Sequence, residues 1–343
     1  MTKNRTVIVI AEAGVNHNGD MKLAKELVWA AASAGADYVK FQSFIAEKNI
    51  SKKASKARYQ KESTEENETQ LEMVKKLELS YEQHVEIYKE CLKAGIGFLS
   101  TPFDTESFEL LMKIDLPILK IASGEVTNLP LLREFGYKYS RLNRKVLLST
   151  GMSSLSEVKE AVAILVDSGV KLENLVVLHC TTEYPAPYNE INLRAMTTIS
   201  EHLGLTVGYS DHSQGIEVPI AAVAMGATVI EKHFTLDRNM KGPDHKASLE
   251  PSELRVMIAS IRNIERALGD GIKKASISEL ENIKVARKSI VASKKISKGE
   301  CFSENNLATK RPGTGISPME WDNVIGTLAD KDYEEDELII WRK

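Results

Sequence analysis

The sequence predicts an α/β fold: a (β/α)8 TIM barrel over most of the chain, then a small separate carboxy-terminal domain. Three observations carry this. Short Val/Ile/Leu-rich runs alternate eight times with longer stretches of helical period. The runs are nearly continuously apolar, as parallel strands covered on both faces must be. After Gly269 the texture changes to polar residues and short segments broken by turn signals.

Taken in order, the strand-like runs are TVIVIAE (6–12), DYVKFQS (37–43), GFLST (97–101), ILKIAS (118–123), KVLLST (145–150), NLVVLHC (174–180), LTVGYS (205–210) and ATVIEKHF (227–234). Between them lie amphipathic stretches such as 21–35, 81–95, 156–169 and 252–269. Strand followed by helix, repeated over this length, is the pattern of a closed barrel. No G-x-G-x-x-G follows the first run, so an open dinucleotide-binding sheet fits less well. The polar link 45–79 is expected to form an extended loop on the active-site face. The boundaries are drawn at 1–270 for the barrel, 271–286 for a linker with a helical patch, and 287–343 for the small domain. That last segment buries too little core to stand alone with ease.

The 343 residues carry a net charge of −3, with 43% hydrophobic and 27% charged residues. That balance gives no electrostatic reason to expect nucleic acid. No window approaches a membrane-spanning length, so no membrane partner is expected. The amino-terminal apolar run meets Glu12 at once and no A-x-A site follows, so it reads as a first strand rather than a signal peptide. Cys91, Cys180 and Cys301 form no C-x-x-C pair, which suits reduced thiols in a cytoplasm. Cys180 follows His179 but reads as a buried structural thiol.

Polar residues at the carboxyl ends of barrel strands form the active site. Applied here, the rule selects Glu12, then Lys40 and Gln42, Thr101, Lys120 with Ser123 and Glu125, Ser149, Thr182 with Tyr184, Ser210 with His212, and Glu231 with His233. In the last strand Val229, Glu231 and His233 share one face, while Ile230 and Lys232 share the other, so Lys232 is given no catalytic role. Lys40 and Lys120 lie inside apolar runs, where an ammonium needs a counter-charge. Glu12 or Glu125 is one source, and an anionic ligand among the hydroxyls is the other. His212 and His233 come from neighbouring strands and are placed to share a divalent ion with oxygen ligands from Glu12, Glu125 or Glu231. Such a set suits Mn2+, with Mg2+ or Co2+ as alternatives, better than structural zinc. His84 and His202 fall on helical stretches and are expected at the surface. His17 and His245 lie in loops facing the site, and Asp244 is placed for a substrate hydroxyl. Two lysines for an anion and a metal for a carbonyl suit phosphoenolpyruvate and an aldehyde.

Ten motifs in chain order resemble the sialic acid synthase family: AEAGVNHNG (11–19), VKFQ (39–42), STPFD (100–104), KIASGE (120–125), STGM (149–152), TEYP (182–185), SDHS (210–213), EKHFT (231–235), GPDH (242–245) and KRPGTGIS (310–317). The resemblance implies a barrel followed by an antifreeze-like (SAF, β-clip type) domain, assembled as a domain-swapped homodimer. It implies condensation of phosphoenolpyruvate with an open-chain N-acyl hexosamine. N-acetylmannosamine would give N-acetylneuraminate, and 2,4-diacetamido-2,4,6-trideoxymannose would give N,N'-diacetyllegionaminate. By the resemblance His212 and His233 are metal ligands, and Lys40, Thr101, Lys120, Ser123, Ser149 and Ser210 contact phosphoenolpyruvate. Glu12 handles protons or water; Gln42, Tyr184, Glu231, Asp244 and Arg311 hold the sugar. Thr182 stands where several relatives have Asn near the phosphate. Two rival readings are a metal-dependent barrel hydrolase and a carbohydrate- or ice-binding protein. The buried lysines argue against the first, and the dense charge of KKISKGE and KDYEEDE argues against an ice-binding face.

Overall fold

The computed structural model describes residues 6–57, 60, 64 and 67–340. The chain divides after Gly269 into two compact units. In the first, eight strands form one parallel sheet: β1 Ile8–Gly14, β2 Tyr38–Ser43, β3 Gly97–Pro102, β4 Ile118–Ile121, β5 Lys145–Ser149, β6 Leu175–Cys180, β7 Thr206–Asp211 and β8 Val229–His233. Their order, β3-β2-β1-β8-β7-β6-β5-β4, is that of a barrel cut between β3 and β4, and those two strands lie against each other. The result is a nearly closed eight-stranded barrel, as the alternating pattern predicts.

Side-chain alternation explains both layers of the core. Val9, Ala11 and Ala13 of β1, with Val39 and Phe41 of β2, point outward and pack under the helices. Ile10, Leu99, Ile118, Leu147, Val176, Leu178 and Val229 point inward and fill the barrel. Gly208 of β7 belongs to this inner set. A Cβ there would lie 2.6 Å from Leu178 Cδ2 and 2.6 Å from the Val229 carbonyl, so glycine is needed for closure. The helices are capped by their sequence. Asp20 precedes Met21–Ala34, and Ser80 and Ser154 form capping boxes with Gln83 and Glu157. The link 45–79 is not wholly extended: it contains helices Ala46–Asn49 and Gln70–Lys75.

His84 corrects the surface assignment, whereas His202 is exposed as expected. His84 lies on the same helical face as Ile87 and Cys91, and this face packs inward. Its ring nitrogens meet Ser43 Oγ at 2.6 Å and the Ser80 carbonyl at 2.8 Å. His17 and His245 are also fully buried. Burial, with His84 and His245 nearby, pushes His17 down to about 4, and burial pushes His245 down to about 4. The Gly19 N–H donates to His17 Nδ1 at 3.0 Å, which requires a lone pair there. These groups stay neutral in the fold but protonate in the unfolded chain near pH 6.5. Stability is therefore full above that value and lost as the pH falls toward 4, by roughly 3 kcal/mol for His17 alone. Thermal melts should show a midpoint several degrees lower at pH 5 than at pH 7.5. His17→Gln should flatten that dependence; an unchanged slope would count against the assignment.

The second unit, from Asp270, contains the exposed helix Leu280–Ala286 and an antiparallel pair, β9 Ser289–Ala292 and β10 Leu307–Lys310. Its small core is built from Ile290, Ile296, Phe302, Leu307, Val324, Tyr333 and Ile339. Among the described residues, no helix is long and apolar enough to cross a membrane.

Candidate active site

The inward rows that fill the barrel continue upward into polar residues at the carboxyl ends of the strands. Ile8 and Ile10 lead to Glu12, Tyr38 to Lys40 and Gln42, Ile118 to Lys120, and Val229 to Glu231 and His233. Parallel register places Glu12 beside both Lys40 and His233, and Ser210 beside both Cys180 and Glu231. These side chains line a chamber of about 200 Å3, with Thr101, Ser123, Ser149, Thr182, Tyr184 and His212. A larger cleft, about 640 Å3, is lined by Thr6 and Val7, which precede β1. There Arg262 is already paired with Asp37 and Glu265, so volume alone does not mark the site.

The two buried lysines are neutralised only in part. Lys40 Nζ is 2.7 Å from Glu12 Oε2 and 3.6 Å from Glu231 Oε2, and it donates to Thr101 Oγ1 at 2.9 Å. Lys120 Nζ is 3.5 Å from Glu231 Oε1. Burial, reinforced by the Glu231 carboxylate, pushes Glu12 up to about 7 against the pull of Lys40. Burial also works against the charged form of Glu231, but Lys120 and Lys40 outweigh it and hold that carboxyl at about 2. Burial works against the charged form of Lys120 and pulls it below the ordinary lysine value, so near neutral pH the two lysines face one firm negative charge and one carboxyl that is part-protonated. Holding both lysines charged calls for an anion. Two hydroxyls stand ready for it: Ser149 Oγ and Thr182 Oγ1 are buried with no hydrogen-bond partner. Ser123 Oγ accepts from the Gly151 N–H at 2.9 Å, and a side chain on Gly151 would overlap Thr182 Oγ1.

The imidazoles form a second cluster. The His212 and His233 ring centroids are 5.5 Å apart, and the Tyr184 ring lies 4.1 Å from His212. His212 Nδ1 lies 2.6 Å from the Thr181 carbonyl, a bond that fixes the ring and leaves Nε2 for another partner. His233 Nδ1 is buried and unpartnered. The pair therefore fits two positions of a metal's coordination shell. The expected carboxylate ligands are not added to it. Glu12 and Glu231 turn to the lysines, and the described residues hold no cluster of three or more His, Cys, Asp or Glu suited to a metal. Further positions would fall to water or substrate.

Three expected residues stand apart from the chamber lining. Glu125 accepts from Asn128 Nδ2 at 2.6 Å in a short 3-10 turn and is not the counter-ion of either lysine. Asp244 is buried, its carboxyl pushed up to about 6 by burial against the charge of His212, but it does not line the chamber. Arg311 belongs to the second unit, where its Nε donates to the Ala286 carbonyl at 3.1 Å. His17 and His245, expected to face the site, are likewise absent from its lining.

Sequence reasoning missed two partners. Cys180 Sγ lies 3.7 Å from His212 Nδ1, whereas the adjacent His179 points away to the Ile191 carbonyl. Alternation along β6 predicts that separation. Lys232, on the outward face of β8, is completely buried and donates to Asp211 Oδ2 at 2.5 Å and to the Ser213 carbonyl. Asp211 also accepts from the Ser213 N–H and Oγ at 3.0 Å each, so the pair pins the residues on either side of His212. Lys232→Met should destabilise the barrel by about 3–5 kcal/mol by leaving Asp211 buried and unpaired. Adding Asp211→Asn should recover part of that loss in a denaturant titration; an additive double variant would refute the pairing.

The chain also matches known proteins. Residues 27–273 match the NeuB family, and residues 287–343 match the SAF domain. The chain is 57% identical to N,N'-diacetyllegionaminic acid synthase of Campylobacter jejuni subsp. jejuni serotype O:2, over 98% of this chain and 99% of the relative. It is 46% identical to the protein of the same name from Legionella pneumophila, over 98% and 94% of the two chains. Among solved structures it resembles the N-acetylneuraminic acid (sialic acid) synthetase of Leptospira borgpetersenii serovar Hardjo-bovis. There the TM-score is 0.71 at 36% identity, covering 82% of this chain and 91% of that one. With its matched barrel, its SAF domain and its near-full-length relatives, the chain belongs to the NeuB family.

Proposed function

We propose that the chain condenses phosphoenolpyruvate with an open-chain N-acyl hexosamine to give a nine-carbon nonulosonic acid. Carbon 3 of phosphoenolpyruvate bonds to the aldehyde carbon, water adds at carbon 2, and phosphate leaves by C–O cleavage. The observation that carries this reading is the pair of buried lysines facing one firm carboxylate beside unpartnered hydroxyls, at one end of a chamber whose other cluster is two imidazoles. Lys40 and Lys120 bind the carboxylate and phosphate charges throughout, with Thr101, Ser123, Ser149, Thr182 and Ser210 giving hydroxyl contacts. Glu12 lies against Lys40 and takes the proton of the water that adds at carbon 2. His212 and His233 hold a divalent ion, Mn2+ by ligand type, which when bound polarises a carbonyl oxygen. Gln42, Tyr184 and Glu231 orient the sugar from the chamber wall, with Asp244 nearby. In a domain-swapped homodimer, Arg311 of one chain completes the sugar site of the other. Cytoplasmic operation fits three free cysteines, two of them buried.

The two relatives at 57% and 46% identity favour the diacetamido sugar. A phosphate-release assay tests the proposal. Release is expected with phosphoenolpyruvate and a hexosamine together, and not with phosphoenolpyruvate alone. The diacetamido sugar should give a higher kcat/KM than N-acetylmannosamine. Absence of release with every N-acyl hexosamine tried would reject the reading.

A further inference from the structure

We propose that a second cavity, opening beside the chamber at Gln42 and Phe103, is the subsite for the far end of the hexosamine. It would take an acylamino group at carbon 4 and the carbon-6 methyl of a 6-deoxy sugar. The inference rests on the synthase reading above.

Position comes first. The cavity holds about 340 Å3, and Gln42 and Phe103 line both it and the catalytic chamber. Gln42 also stands at the imidazole end. Gln42 Nε2 and His233 Cε1 each lie 3.4 Å from the point that a Cβ on Gly14 would occupy, and Gln42 Nε2 donates to Glu12 Oε1 at 3.4 Å, so Gln42 stands between the imidazoles and Glu12. A sugar whose aldehyde meets the imidazoles therefore has this opening beside it. Another cleft, of about 660 Å3, meets the chamber at Met152, Cys180 and Thr182, on the side of the unpartnered Thr182 hydroxyl. Cys180 also touches His212, but in the synthase reading Thr182 serves the anion and Gln42 the sugar, which assigns the sugar's carbon chain to the cavity at Gln42.

Chemistry comes second. One part of the wall is apolar: Phe44, Ile50, Val74 and Phe103. Such a wall favours methyl groups over hydroxyls, because burying a hydroxyl without a partner costs free energy. The remainder carries amides and the Ser51 hydroxyl. Asn49 and Gln70 line the cavity, and their side chains make no hydrogen bond to another described residue. An amide both donates and accepts, so it matches an acylamino group on the ligand. None of the described residues lining the cavity is ionisable. A sugar phosphate would bring roughly two negative charges into it, and the described lining residues offer no cation to receive them. The cavity thus fits a neutral, acylated, 6-deoxy end and disfavours a 6-phosphate.

The elements that build the wall add support. Asn49 ends one short helix of the 45–79 link, and Gln70 and Val74 belong to the other. Phe103 packs edge-on against Phe44 at 6.3 Å between centroids. The described stretches 49–54 and 70–74 of the link therefore carry specificity, while the barrel strands carry the chemistry.

The test compares kcat/KM for 2,4-diacetamido-2,4,6-trideoxymannose with kcat/KM for N-acetylmannosamine in two variants that fill the cavity from different segments, Ala54→Phe and Val74→Phe. Ala54 lines the cavity and is half-buried in the link, so a larger side chain there projects into it at little cost to the fold. Melting temperatures within a few degrees of wild type establish folding. The preference for the diacetamido sugar is expected to fall at least about tenfold in each variant, as when one apolar contact of a specificity pocket is lost. Wild-type protein should use N-acetylmannosamine 6-phosphate less well than either sugar. A ratio within about twofold of wild type in both folded variants overturns the subsite, as does a preference for the 6-phosphate. Wild-type protein that releases phosphate with N-acetylmannosamine but shows no preference for the diacetamido sugar overturns the subsite while the synthase reading stands. Release with no hexosamine overturns both.

Discussion

His233→Ala is expected to lower turnover by at least about 10³-fold, the loss of several kcal/mol of carbonyl polarisation. The fold should survive it. His233 Nδ1 is buried without a partner. Such a group costs the native state about 1–3 kcal/mol, and alanine removes that cost while leaving a small cavity. The two effects oppose each other, so the melting temperature should move little. His212→Ala should behave alike in turnover but less kindly in stability, because the imidazole bonds to the Thr181 carbonyl and stacks near Tyr184. Chelation of wild-type protein should reproduce the His233→Ala rate, and Mn2+ affinity measured by calorimetry should drop in both variants. A His233→Ala protein that keeps the wild-type rate after chelation would remove the metal from the site.

Lys120→Met should reduce kcat/KM for phosphoenolpyruvate at least about 10²-fold, since a buried charge-assisted contact is worth roughly 3 kcal/mol. KM should rise along with the fall in kcat, because the charge met by the lysine is present before the reaction as well as during it. This variant also leaves Glu231 with Lys40 alone, at 3.6 Å, so it should be less stable. A second variant separates the two causes. Lys120→Met/Glu231→Gln removes both members of the pair and should recover much of the lost stability. It should not recover phosphoenolpyruvate binding. If stability and binding return together, Lys120 serves the fold and not the anion.

Several features of the site were legible because strand alternation is a strict geometric rule. Glu231 and His233 point inward because Val229 does, and the same period places Lys40 with Gln42 and puts Lys232 on the opposite face. Helix faces were less legible. His84 reads as a surface residue, yet it shares the inward stripe of Ile87 and Cys91, and a polar residue on that stripe is kept only because Ser43 and Ser80 satisfy it. Counter-ions were harder still. Glu125 and Glu231 are both glutamates at strand ends in sequence, but a 3-10 turn carries Glu125 to Asn128 while β8 holds Glu231 between the lysines.

By itself, then, the sequence determined the eight-fold strand and helix alternation, the change of texture after Gly269, and which face of each strand carries polar groups. These follow from local periodicity, which a chain cannot hide. Tertiary structure decided which charges pair. It set Glu12 and Glu231 against the two lysines, left two hydroxyls and an imidazole nitrogen without partners, buried Lys232 on Asp211, and opened a neutral cavity beside Gln42. Electrostatic energy depends on distance and desolvation, and both are fixed only when strands remote in sequence are brought side by side.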